Sequence, residues 1–114
     1  MAKLECELFG HFDEILEKLN MAVLNGSKSA ALEEFSDFAA ADMKCAIRAY
    51  ERYSWLGNGR VSLNITLIES REKIFLSAIS TGGSQAVFFK INTIGEENFL
   101  NTIKWVVNMY SKDR

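Results

Sequence analysis

Proline is absent from the 114 residues, histidine occurs once and cysteine twice, and each shortage removes a class of protein. Without proline, the chain lacks the commonest mark of a linker or a disordered tail. The lone His11 has no cysteine or carboxylate at metal-ligand spacing, so zinc and histidine-based nucleophilic chemistry lack their donors; it reads as a solvated residue where a helix starts. Cys6 and Cys45 are too few for a disulfide scaffold and read as small buried hydrophobes, which fits a reducing, cytoplasmic setting. No apolar run approaches the roughly 20 residues of a membrane span, and the first residues alternate charge with hydrophobe where a secretory leader would be uniformly apolar. A net charge of −2 gives no global field to draw the chain onto nucleic acid or anionic lipid, so neither is an expected partner. No motif calls for a cofactor.

What is present is a hydrophobic fraction of 48% with 25% charged residues, ordinary for one domain spanning residues 1–114. Residues 3–9 set Leu4, Cys6 and Leu8 against Lys3, Glu5 and Glu7, the period of a half-buried strand. After Gly10 the spacing of Phe12, Ile15, Leu16, Leu19, Ala22 and Val23 is helical, Asp13 and Glu14 suit its first turn, and Gly26 suits its C′ stop. Residues 28–39 are ambiguous between helix and strand; the serines, Asp37 and the aromatics favour an irregular edge strand with a bulge. Residues 44–55 alternate, Gly57-Asn58-Gly59 marks a hairpin, and Val61, Leu63, Ile65 and Leu67 make the cleanest period of two in the chain. A charged turn, Ser70 to Glu72, leads to Ile74, Leu76 and Ala78, with Phe75, Ser77 and Ile79 opposite. Thr81-Gly82-Gly83-Ser84-Gln85 is a loop, Val87 to Ile91 is strand or connector, and Thr93 with Glu96 has capping-box spacing before a final helix facing inward through Phe99, Leu100, Ile103, Val106, Val107 and Tyr110.

The expected fold is therefore α+β: an antiparallel sheet of about five strands in the sequence β-α-β-β-β-β-α, two helices on one face and the other face open. A meander of the last four strands leaves the first strand only an edge, which gives the spatial order 1-5-4-3-2. It places Cys6 and Cys45 three strands apart, too far for a disulfide. This element order resembles the TATA-binding-protein-like fold, also met in helix-grip proteins. At closer range, Tyr50-Glu51-Arg52-Tyr53-Ser54, the stretch from Gly82 to Lys90, and Gly95-Glu96-Glu97 resemble a family of small uncharacterised proteins from Clostridium-like Firmicutes. That resemblance spans the chain and brings no activity with it.

Three constellations bear on function. If Cys45, Ile47 and Ala49 face the helices, alternation sends Lys44, Arg48, Tyr50 and Arg52 to the open face, beside Asn64 and with Arg60 across the hairpin. Basic and aromatic groups together suit a small anionic or amphipathic ligand; cross-strand pairing with Glu33, Glu34, Asp37, Glu69 or Glu72 is the plainer alternative. Ser84 and Gln85, in the glycine loop, could add a backbone nest for an anion, with Lys90 nearby, although a flexible connection accounts for them as well. Glu51 falls on the apolar side in this register, where a carboxylate is costly unless a bulge turns it out or a partner neutralises it. Two readings follow: a non-catalytic binding module that uses Arg48, Tyr50, Arg52, Asn64, Ser84 and Gln85, or an interaction module or homodimer that buries Phe75 and Ile79 on the open face.

Overall fold

The computed structural model describes residues 1–54, 59–82 and 89–112. In chain order the elements are β1 (Ala2–Leu8), α1 (Phe12–Gly26), β2 (Ala31–Ala40), β3 (Met43–Ser54), β4 (Gly59–Ser70), β5 (Lys73–Gly82), α2 (Phe89–Asn101) and α3 (Lys104–Tyr110). The strands form one antiparallel sheet in the order β1-β5-β4-β3-β2. The ambiguous second segment is a strand, and the register shifts between Leu32 and Glu34. Among the described residues no helix is long and apolar enough to cross a membrane.

Two-residue turns set the meander. Ala40 pairs with Met43 and Ser70 with Lys73, and the second turn holds Arg71 and Glu72 at φ 52° and 68°, the paired positive values of a type I′ turn. Alternation then fixes one face of β4 and β5. Val61, Leu63, Ile65, Leu67, Ile74, Leu76 and Ala78 are all at most 2% exposed, and β1 contributes Leu4, Cys6 and Leu8 to the same side. Against this surface α1 lays Ile15, Leu19 and Val23, and the C-terminal segment lays Phe99, Ile103 and Val106. Both cysteines are free, and burial pushes both thiols above their ordinary pKa.

The helix ends differ from expectation in three places. Gly26 is not a left-handed stop but the last residue of α1, and it is small for packing: a Cβ there would come within 2.9 Å of Thr102 Cγ2. Gly10 is the glycine that turns the chain. Its φ of 151° and the 3.0 Å that would separate an added Cβ from the Tyr110 ring both favour glycine between β1 and α1. Thr93 and Glu96 do not cap a helix, because α2 already begins at Phe89; Val87 and Phe88 lie outside the described residues. Glu96 instead accepts the Gly82 N–H at 2.6 Å and pairs with the Met1 amino group, tying α2 to the ends of β5 and β1.

The last helical stretch is broken at Thr102-Ile103, where the backbone tightens: Thr102 N–H bonds to Phe99 O and Ile103 N–H to Leu100 O, three-residue steps that end α2. Ile103 fills the break, fully buried, and its carbonyl starts α3 by accepting from Val106 and Val107. Ile103→Ala is expected to cost about 2–5 kcal/mol in urea unfolding; a loss below about 0.5 kcal/mol would mean this residue faces solvent.

Candidate functional site

β3 carries the cationic and aromatic residues, and its pairing decides where they point. Tyr50 pairs with Leu63, Arg48 with Ile65 and Arg52 with Val61, and directly opposed antiparallel residues share a face. Lys44, Ala46, Arg48, Tyr50 and Arg52 therefore look toward the helices, while Cys45, Ile47, Ala49, Glu51 and Tyr53 lie on the open face. This reverses the assignment from alternation within β3 alone. The cause is loop parity: Ser54 pairs with Gly59, leaving four positions between them, whereas a turn made of Gly57, Asn58 and Gly59 would shift the register by three, an odd number, and flip every side chain. Positions 55–58 lie outside the described residues.

Each long side chain on the helix face has a place to put its polar end. Tyr50 is 1% exposed, its hydroxyl donating to Asn20 Oδ1 of α1 at 2.7 Å. Arg52 lies with its guanidinium 4.8 Å from the centre of the Phe99 ring and donates to Gly95 O of α2 at 3.1 Å. Burial lowers the Arg52 pKa from its ordinary value. Arg48 grips Asp37 of β2 with both terminal nitrogens, at 2.7 and 3.3 Å, and lies 5.2 Å from the Phe35 ring centre. Lys44 sits 5.7 Å from the ring centre of Phe12. These are amphipathic stems spanning the layer between sheet and helices with their tips at its margin.

Of the ligand residues expected from sequence, Arg48, Tyr50 and Arg52 are brought onto one face. Asn64 is exposed on the opposite one, and Ser84 and Gln85 lie outside the described residues. Glu51 is on the open face and pairs with Arg60 at 2.8 Å, beside a hollow of about 130 Å³ that Ser29, Glu33 and Tyr53 also line. No strand bulge is needed to turn it out. Among the described residues no cluster of three or more His, Cys, Asp or Glu could hold a metal ion.

Sequence reasoning understated the apolar character of the open face. One cross-strand row runs Phe38, Cys45, Ile68, Phe75, flanked by Ile47 and Ile79. Phe38 is 50% and Phe75 47% exposed. The signal was available in Ile68, which breaks the polar half of β4.

Fold and geometry together define a small α+β domain with a helix-covered and an uncovered sheet face. A family model of unknown function (DUF6054) matches residues 1–111, and the chain belongs to that family. No curated protein and no solved structure matches.

The buried phenol gives a direct check of the reversed register. Burial raises the Tyr50 pKa to about 12, against a smaller opposing pull from Arg48. The folded phenol thus ionises later than the unfolded one, whose pKa is about 10. Its contribution to stability is complete below about pH 10 and is lost as pH rises toward 12. Ultraviolet titration of the wild type against Tyr50→Phe should reveal one late-ionising phenol missing from the variant; ionisation of Tyr50 near pH 10 would place it in solvent.

Proposed function

We propose that this chain is an interaction module that self-associates through the open face of its sheet. The observation that carries this is the cross-strand row in which Phe38 and Phe75 are exposed at either end of the buried Cys45 and the half-buried Ile68, with the half-buried Ile47 and Ile79 beside it. Small polar residues, Asn64, Thr66 and Ser77, lie among them. The charges stand at the margins: Lys3, Glu5 and Glu7 along β1, and Glu51 with Arg60 at one corner. An apolar centre inside a charged rim is the anatomy of a protein interface.

Area favours a second copy as the occupant. Five strands about 4.8 Å apart and about ten residues long, at about 3.3 Å each, present roughly 800 Å², about what each partner contributes to a stable interface. A twofold arrangement lays the same row on itself, so one apolar patch serves both copies. The anionic-ligand reading has weaker support, because Arg48 is held by Asp37, and Arg52 is held by the Gly95 carbonyl and the Phe99 ring.

Light scattering at about 50 µM, far above the dissociation constant of a stable dimer, should return twice the mass of one chain. Phe75→Lys should return the mass of one chain with unchanged circular dichroism, since its side chain is half in water already. A monomeric wild type, or a Phe75→Lys variant that stays dimeric, contradicts the proposal.

A further inference from the structure

We propose that β2 is a docking edge for an extended, basic segment of another protein, which joins the sheet as a sixth strand beside α1. The site is the backbone edge of β2, which adjoins the open face at Phe38 and Cys45, and it does not depend on self-association.

β2 is the outermost strand, and all ten of its residues are exposed. Leu32, Phe35 and Phe38 are 36%, 58% and 50% exposed, which is unusual company for a free edge; natural sheets shorten, bend or charge such strands because their backbone invites pairing. The direction of the free backbone can be read from one bond and the β2–β3 turn. Phe35 N–H is held at 3.0 Å by Oε1 of its neighbour Glu34, and the two-residue turn that closes Ala40 on Met43 sets the Ala40 N–H toward β3, so by alternation the Phe35 N–H points outward. Alternation gives Asp37 and Ala39 the same outward direction. The Glu34 carboxylate thus stands where the carbonyl of an adjoining strand would stand.

The space beside the edge is shaped for alternate side chains. A hollow of about 450 Å³ runs between α1 and β2, lined by Phe12, Leu16, Phe38, Asp13, Asp37 and Lys44, with Ala39 and Cys45 completing it. An added strand takes affinity from main-chain bonds and specificity from such pockets. Its charge is set by β2, which carries Glu33, Glu34 and Asp37 and no cation; among the described residues only Asp37 of these is in an ion pair. A second copy of β2 would bring carboxylates against carboxylates, which is repulsive. A partner strand with lysine or arginine relieves that repulsion.

The test uses the full chain and a fluorescent eight-residue peptide alternating valine and lysine, with two derivatives N-methylated on alternate backbone amides, one in each phase. N-methylation removes strand pairing and keeps the charge. The parent peptide should bind, one phase should weaken binding by about tenfold or more, and the other should bind like the parent. Amide shifts on binding should centre on Phe35, Asp37 and Ala39. Ala39→Pro, which removes an outward N–H and no bond to β3, should weaken the parent by a similar factor; if that variant unfolds, the peptide pair still decides. Equal binding by all three peptides means adsorption by charge alone and overturns the proposal. So does an absence of binding at about 1 mM, or a set of shifts confined to the open face.

Discussion

The arrangement depends on which way β3 faces, and one hydrogen bond ties that orientation to the helical layer: the Tyr50 hydroxyl donating to the Asn20 amide of α1. With Tyr50 inside, alternation brings Arg52 under α2 and Arg48 to the margin, where Asp37 of β2 meets it. The same choice sends Cys45, Ile47 and Ala49 outward, and with Ile68 and Phe75 they make the open face apolar. Core composition, the edge ion pair and the candidate interface thus share one cause.

The element order and strand order were legible because they rest on long, unambiguous periodicity. Val61 to Leu67 reads as one buried half-strand set, and a meander of β2 to β5 leaves β1 only the edge beside β5. The bulged edge strand was legible from the conflict between its helical spacing and its serines and aromatics. The facing of β3 was not, because its two halves are nearly balanced in hydropathy: Cys45, Ile47 and Ala49 on one side, Ala46, Tyr50 and the stems of two arginines on the other. Only the parity of the β3–β4 connection separates them, and a Gly-Asn-Gly sequence draws the eye to a three-residue turn. The break at Thr102-Ile103 was hidden for another reason. The apolar spacing of Phe99, Ile103, Val106 and Tyr110 continues through it, so the inward face looks like one helix while the backbone is two.

For function, the reversal moves weight from charge to apolar surface. Cations that seemed free to hold an anion are partly spent on internal contacts, and their packing makes them structural first. What stays uncommitted is the row from Phe38 to Phe75 on the open face and the backbone edge of β2. These surfaces meet at Phe38, which stands in the open-face row and also lines the groove beside α1. The acids of β2 oppose the pairing of two copies along that edge, so the face and the edge call for partners of different chemistry.

The central claim, that β3 turns Tyr50 toward α1, is tested most directly by a double-mutant cycle of Tyr50→Phe and Asn20→Ala in urea unfolding. A hydroxyl and an amide that bond each other in the folded chain should show a coupling of about 1 kcal/mol. Additive effects, with coupling indistinguishable from zero, would show that the two groups do not meet and that β3 faces the other way.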